Sequence, residues 1–112
     1  MLAGGKKNAA FESGRFYEPT LLVNVSHDME VVKKECFGPV MTVLRFESTE
    51  ELLKGVNSSD FALGASVFTT DYSKADRVSR AIGSGMVSIN EWGMSALVSS
   101  LPFGGKALSG KT

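Results

Sequence analysis

The sequence predicts an α/β fold, a three-layer arrangement in which a mostly parallel sheet is flanked by helices. Three observations lead to it. Short apolar, β-branched segments alternate with amphipathic segments of helical period, the links between them are short, and capping or turn residues mark the helix ends. Strand, helix and strand in that order favour parallel pairing through right-handed crossovers.

The first elements lie in the N-terminal third. Residues 16–25 are predicted to form a strand, and Pro19 favours an edge position because it has no N–H for a ladder hydrogen bond. A short helix over residues 29–34 follows, with Asp28 or Ser26 as its expected cap.

The middle of the chain begins with the apolar run VMTVLRF at residues 40–46, which predicts a buried strand. Ser48 is then expected to cap a helix as part of a capping box, with Glu51 reaching back to the start of the helix. Turn-forming residues at 57–60 end this helix.

The C-terminal half repeats the pattern. Residues 65–69 predict a strand, Asp71 caps a second long helix, and residues 86–90 predict a further strand. In that helix one face is apolar and the other charged: Ala75, Val78 and Ile82 against Lys74, Arg77 and Arg80. Periodicity then fades, so residues 91–112 are predicted to form a long loop.

Composition limits the function classes. The 112 residues are 43% hydrophobic and 21% charged, and twelve basic side chains balance twelve acidic ones. A balanced charge gives no electrostatic basis for binding nucleic acid or an anionic membrane. The start of the chain does not resemble a signal peptide, and no apolar run is long enough to span a membrane. Cys36 is the sole cysteine, which excludes an internal disulfide, and we expect a cytoplasmic protein.

Both ends of the chain look cut. No element precedes the glycine–lysine segment at the start, and none follows the serine–glycine segment at the end. Three or four strands would also leave exposed sheet edges. We therefore expect a part of a larger fold.

The C-terminus matches the phosphate-binding loop pattern G-x-x-x-x-G-K-[ST] at every fixed position, over residues 105–112. That motif requires a preceding strand and a following helix whose N-terminal amides face the phosphates. A loop precedes it here and nothing follows it. Nucleotide binding at Gly105–Thr112 therefore stays a remote alternative.

Three other candidates for chemistry are weak. Ser26, His27 and Asp28 are adjacent, so their side chains point apart, whereas a catalytic triad converges from separate segments. One His and one Cys are too few to build a zinc site, so no metal is expected. Cys36 follows Glu35, and a neighbouring carboxylate disfavours the thiolate that a nucleophile needs. Cys36 is therefore expected to be a small buried apolar residue.

Four segments in order resemble motifs of the aldehyde dehydrogenase superfamily. ECFGPV at residues 35–40 is similar to E-x-F-G-P-V, and GRFYEPT at residues 14–20 is similar to G-x-[FY]-x-x-P-T. FALGASVFT at residues 61–69 resembles Y-G-L-A-A…V-F-T. PFGGKALSG at residues 102–110 resembles P-F-G-G-x-K-x-S-G, although Ala107 stands at the Lys position. Together these motifs cover most of the chain.

The resemblance implies roles for three residues. Glu35 would accept hydrogen bonds from the ribose hydroxyls of the nicotinamide cofactor, NAD or NADP, and Phe37 would pack near the nicotinamide. Phe103 would line the aldehyde tunnel, where Gly104 and Gly105 let the backbone pass close to the site. Core packing is the alternative role for Phe37 and Phe103.

The resemblance further implies that residues 1–112 are the C-terminal portion of an aldehyde dehydrogenase catalytic domain. The family reaction is NAD(P)+-dependent oxidation of an aldehyde to a carboxylic acid, and the full-length enzyme is expected to be a homo-oligomer. Its nucleophilic cysteine and general base would lie upstream, so no catalytic residue is assigned here and the isolated chain is expected to be inactive. The alternative is a non-catalytic truncated module that binds a full-length partner.

Overall fold

The computed structural model describes residues 1–11, 13–94 and 97–110. The chain divides into two compact units, Met1–Arg45 and Phe46–Thr112. Each unit contains one pair of parallel strands joined through a helix.

The first unit contains β1 (Thr20–Val23), α1 (Glu30–Lys33) and β2 (Val40–Val43). β1 and β2 are parallel, with Thr20 opposite Val40. On the other side of β1, Leu21 forms an antiparallel bridge with Ala3. The prediction that this strand lies at an edge is therefore wrong. Pro19 precedes the paired residues, so its missing N–H interrupts nothing.

Two further expectations for the first unit are corrected. The strand expected to be buried over residues 40–46 is four residues long and half-exposed, because its alternate side chains face opposite ways and Met41 is 65% exposed. The short helix begins at the N-cap Met29 without a side-chain cap. Ser26 and Asp28 do not cap it, since their side chains hydrogen-bond to each other.

The second unit is larger and mixes parallel and antiparallel pairs. Its elements are α2 (Thr49–Val56), β3 (Phe61–Ala62), β4 (Gly64–Val67), α3 (Tyr72–Ala81), β5 (Met86–Ile89) and β6 (Lys106–Ala107). β4 and β5 are parallel and are connected through α3, whereas β3 pairs with β6 in antiparallel fashion. The predicted α/β class is confirmed.

The two long helices begin where the sequence predicts. The Ser48 hydroxyl accepts a hydrogen bond from the Glu51 N–H at 3.1 Å, and the Asp71 carboxylate accepts one from the Lys74 N–H at 2.9 Å. The Glu51 carboxylate reaches back one residue beyond the expected position, to the N–H of Glu47 at 2.8 Å. Ser48 thereby satisfies one free N–H group in the first turn of α2, and Glu51 satisfies the N–H of the residue before the cap.

The predicted packing of α3 is also confirmed. Ala75, Val78 and Ile82 are the buried hydrophobic residues of the described chain. The three basic residues of the opposite face, Lys74, Arg77 and Arg80, are exposed.

The prediction of a structureless loop from residue 91 onward is wrong in part, because that segment contains β6. Ala107 pairs with Phe61, and Lys106 with Ala62. A two-residue strand whose partner lies over forty residues earlier leaves no periodic signal in the sequence.

Candidate cofactor and substrate site

The segment that follows α1 holds Phe37 at the apex of a tight turn. The Gly38 N–H donates to the Cys36 carbonyl at 2.9 Å, and the Val40 N–H donates to the Gly38 carbonyl at 2.8 Å. Each bond closes a three-residue turn, the first centred on Phe37 and the second on Pro39. Pro39 suits its turn because its ring fixes φ near the value that such a turn requires. The Phe37 ring consequently projects outward and is 98% exposed.

Glu35 and Cys36 precede this apex and are exposed as well. Within residues 1–11, 13–94 and 97–110, the Glu35 carboxylate has no hydrogen-bond or ion-pair partner. The expectation that Cys36 is buried is wrong. Its thiol is free and exposed, as are the neighbouring residues from Glu35 to Gly38.

The base of the turn is fixed to β1. The Pro39 carbonyl accepts a hydrogen bond from the Thr20 N–H at 2.7 Å. Thr20 is the buried polar residue of the described chain, and its hydroxyl donates to the Glu18 carbonyl at 2.8 Å and accepts from the Gly5 N–H at 2.8 Å. The exposed residues at 35–37 therefore project from a turn whose base is held to β1 by hydrogen bonds.

Phe103, in the second unit, lines a cavity of about 420 Å³ together with Leu63, Met86 and Trp92. Phe103 itself is 61% exposed, so the ring is not packed in a core of the described chain. Sequence reasoning did not include Trp92 in the site. The available signal was its position two residues after a predicted strand, where parallel-sheet proteins commonly place binding residues.

The backbone beside Phe103 comes close to the start of β5. A Cβ atom on Gly85 would lie 2.0 Å from the Gly104 carbonyl oxygen, a distance at which no side chain fits. A Cβ atom on Gly105 would lie 2.5 Å from the Ser109 carbonyl oxygen. Glycine at these positions therefore lets two backbone segments meet.

Side-chain and strand hydrogen bonds then hold the segment after Phe103. The Ser109 hydroxyl accepts from the Ala62 N–H at 2.9 Å, and the Leu108 N–H donates to the Asp60 carbonyl at 2.9 Å. Together with the β3–β6 pair, these bonds fix the loop that carries Phe103.

The same bonds argue against a phosphate-binding loop. Lys111 and Thr112, which the motif needs for phosphate and metal, lie outside the described residues. The amides of Leu108 and Ser109 already donate to the carbonyls of Asp60 and Lys106. A phosphate cradle needs successive amides that are free to face the anion, so the geometry from 105 to 110 does not support this alternative.

The segment around His27 does not form a catalytic arrangement. His27 is exposed, as predicted. The Ser26 hydroxyl bonds to Asp28, and this bond holds the pKa of Asp28 below its ordinary value. Among the residues that the structure describes, no three His, Cys, Asp or Glu side chains are placed to hold a metal ion, and no helix is long and apolar enough to cross a membrane.

Solved structures that resemble the chain include aldehyde dehydrogenases. Betaine aldehyde dehydrogenase from Staphylococcus aureus, solved in complex with NAD+, is 35% identical with a TM-score of 0.89, and the match covers 96% of this chain and 21% of that one. An NAD+ complex of aldehyde dehydrogenase from Bacillus cereus is 38% identical with a TM-score of 0.88, and covers 96% and 21% of the two chains.

Sequence comparison gives the same family. Retinal dehydrogenase 2 of Homo sapiens is 47% identical over 97 residues, which are 87% of this chain and 18% of that protein. The chain thus spans about a fifth of the length of the relatives it matches. The family model described as "Aldehyde dehydrogenase family" matches residues 1–112. The chain therefore belongs to the aldehyde dehydrogenase family.

Proposed function

We propose that residues 1–112 form the C-terminal portion of the catalytic domain of an NAD(P)+-dependent aldehyde dehydrogenase. The complete enzyme oxidises an aldehyde, with water, to a carboxylic acid, and the chain supplies cofactor contacts and part of the aldehyde tunnel. The observation that carries the proposal is the exposed pair Glu35 and Phe37 on a tethered turn, within a chain whose solved relatives include NAD+ complexes.

Glu35 is suited to bind the ribose of the cofactor. Its exposed carboxylate offers two acceptor oxygens and forms no hydrogen bond within the described residues. A vicinal diol presents two O–H donors at matching spacing, and hydrogen bonds to a charged acceptor are about twice as strong as neutral ones. Glu35 therefore orients the cofactor and takes no part in moving protons.

Phe37 is suited to support the nicotinamide ring. An aromatic side chain that is 98% exposed forgoes the ~2–3 kcal/mol that burying it provides. A flat ring of the cofactor would cover it by offset stacking or edge contact. The bound cofactor supplies hydride acceptance, and Phe37 holds the accepting ring in place and keeps water from it.

Phe103 contributes a wall to the aldehyde tunnel. Its loop is fixed by the Gly85–Gly104 approach and by Ser109, so the ring keeps its position while the substrate enters. The nucleophilic thiolate and the general base belong to the upstream region of the enzyme in this proposal. Cys36 is not that nucleophile in this proposal.

A chimera tests the function. This chain replaces the matching region of the Staphylococcus aureus betaine aldehyde dehydrogenase, and NADH formation is followed with a panel of aldehydes. We expect aldehyde-dependent NADH formation, and Glu35→Gln should raise KM for NAD+ by about tenfold, since it removes a hydrogen bond to a charged acceptor worth ~1.5–3 kcal/mol. The control is Glu50→Gln, an exposed glutamate on α2, which should leave KM unchanged.

Two results would count against the proposal. A folded chimera that oxidises no aldehyde would contradict the function, and an unchanged KM in Glu35→Gln would contradict the role of Glu35. The expected inactivity of the isolated chain has its own test. Aldehyde-dependent NADH or NADPH formation by the purified 112 residues, lost in Cys36→Ser, would show that the nucleophile is present after all.

A further inference from the structure

The cofactor turn, as we call residues 35–39, is held in place mainly at its second end. It is entered from α1, which has four residues and, within the part of the chain that the structure describes, buries none of its side chains. At the second end the Pro39 carbonyl accepts a hydrogen bond from the Thr20 N–H at 2.7 Å, and Val40 pairs with Thr20 in the β1–β2 ladder. The position of Thr20 therefore decides where the base of the cofactor turn lies.

The hydroxyl of Thr20 in turn fixes the position of Thr20. This residue is only 7% exposed, and its hydroxyl accepts from the Gly5 N–H and donates to the Glu18 carbonyl, each at 2.8 Å. Both partners are backbone groups in partly buried surroundings, where a lost hydrogen bond is costly. Without the hydroxyl, the N–H and the carbonyl would have to move to find other partners, and β1 would move with them.

The N-terminal segment lies directly against this hydroxyl. Gly4 and Gly5 have φ values of 74° and 81°, in the left-handed region that favours glycine. A Cβ atom on Gly4 would lie 2.7 Å from the Thr20 hydroxyl oxygen, which is too close for any side chain. Ala3, the next residue, forms a bridge with Leu21. Thr20 thus joins the N-terminal segment on one side to the cofactor turn on the other.

We propose that Thr20 is a positioning residue for the nicotinamide cofactor. Its hydroxyl fixes the base of the cofactor turn, and the turn then presents Glu35 and Phe37 to the ribose and the nicotinamide. Hydrogen bonds to a diol weaken steeply with distance and angle, so a small shift of the turn is enough to weaken them. The inference rests on the proposed function, which assigns the cofactor contacts to this turn. The alternative is a hydroxyl that only stabilises the start of β1.

The chimera with betaine aldehyde dehydrogenase tests this role. Thr20→Val keeps the shape of the side chain and removes the hydroxyl, so it should raise KM for NAD+ about three- to tenfold and change KM for the aldehyde less than about twofold. Thr20→Ser keeps the hydroxyl and should restore KM for NAD+. The control is Thr42→Val, at a half-buried threonine on β2, which should leave KM for NAD+ unchanged.

A second measurement separates positioning from stabilisation. In a chimera that already carries Glu35→Gln and Phe37→Ala, Thr20→Val should raise KM for NAD+ by less than about twofold further, because a residue that acts through these two side chains has nothing left to position. A hydroxyl that only stabilises β1 would lower Tm in both backgrounds and leave KM unchanged. If Thr20→Val does not fold, Thr20→Cys, which keeps a weak donor and acceptor, replaces it with the same expectation.

The outcomes distinguish this inference from the proposed function. An unchanged KM for NAD+ in Thr20→Val, an equal rise in KM for the aldehyde, or an undiminished effect in the Glu35→Gln and Phe37→Ala background would overturn the positioning role, and the proposed function would stand. Calorimetric titration with NAD+ measures cofactor binding without turnover. A chimera that oxidises no aldehyde, but binds NAD+ more weakly when it carries Thr20→Val, would overturn the proposed function and support the positioning role.

Discussion

The side chain of Asn90 makes the hydrogen bonds to a neighbouring segment that a backbone amide would otherwise make. Its backbone has a φ of 53°, in the left-handed region that asparagine tolerates better than most residues. Its side-chain oxygen accepts from the Thr69 N–H at 2.8 Å, and its side-chain NH₂ donates to the Thr69 carbonyl at 2.9 Å. Asn90 thus continues the β4–β5 ladder by one side chain beyond its last residue pair.

Asn90→Ala should therefore destabilise the chain by about 2–3 kcal/mol. It removes two hydrogen bonds, worth ~0.5–1.5 kcal/mol each, and puts alanine in left-handed backbone, which asparagine tolerates better. Urea unfolding measures the change. Asn90→Gly loses the same hydrogen bonds without the backbone strain. Its free energy of unfolding should therefore be about 1 kcal/mol higher than that of Asn90→Ala. Equal stability of the two variants would show that the strain is absent.

For single residues, the sequence predicts helix caps correctly but does not predict which side chains are exposed to solvent. Ser48 and Asp71 are recognisable as caps because the cap and its N–H partner lie three residues apart in the chain. The exposed state of Cys36 depends on a turn closed by backbone atoms alone, so side-chain identity carries no signal for it. Glu35 and Phe37 were selected through family resemblance, and their roles stay predictions.

At the scale of elements, α3 carries an ion pair on its solvent face. Arg80 Nε lies 2.9 Å from the Asp76 carboxylate, one helical turn away. This hydrogen bond holds the pKa of Asp76 below its ordinary 3.8 and raises the pKa of Arg80. The folded state therefore favours the ionised carboxylate over the protonated one.

The pH dependence of α3 follows from that direction. Since the pKa of Asp76 is lower in the folded state, its contribution is fully present above pH 3.8 and disappears as the pH falls through the lowered value. Wild type should be more stable than Asp76→Asn at neutral pH, and the difference should vanish in stronger acid, as followed by urea unfolding at a series of pH values. Arg80→Gln should remove the same pH-dependent difference. Arg77→Gln, which changes a neighbouring exposed arginine, should preserve the pH-dependent stability difference between wild type and Asp76→Asn. If Arg77→Gln also removed that difference, the net charge of the helix and not the Asp76–Arg80 pair would be its cause.

Helices and strands were predicted correctly where nearby residues define them, and were missed where pairing with a distant segment defines them. α2, α3, β4 and β5 follow from periodicity and caps within about twenty residues of sequence. β3 and β6 have two residues each, and only their pairing across the second unit defines them. The edge assignment of β1 failed for a similar reason, because the partner on its open side is the irregular segment around Ala3.

At the scale of the whole molecule, the chain leaves unusually much apolar surface uncovered. Ala75, Val78 and Ile82 are the hydrophobic residues that the described chain buries, whereas Phe37, Met41 and Trp92 are mostly in solvent. A domain of about this length normally buries several large side chains. Because the chain spans about a fifth of its relatives' length, we expect the remainder of the catalytic domain to cover part of this surface.

Met41 on β2 tests that expectation, since its side chain contributes to an apolar pocket with Leu21 and Pro39 in the first unit. In the 112-residue chain, Met41→Gln should change the free energy of unfolding by no more than about 0.5 kcal/mol, as exposed substitutions usually do. In the chimera the same substitution should cost about 2–3 kcal/mol, because it would place an amide where a methionine is buried. Glu50→Gln, at an exposed polar position, should be neutral in both settings. Equal effects of Met41→Gln in chain and chimera would mean that this face of β2 stays in water in the assembled enzyme, and that the exposed apolar surface of the first unit serves something other than packing within the catalytic domain.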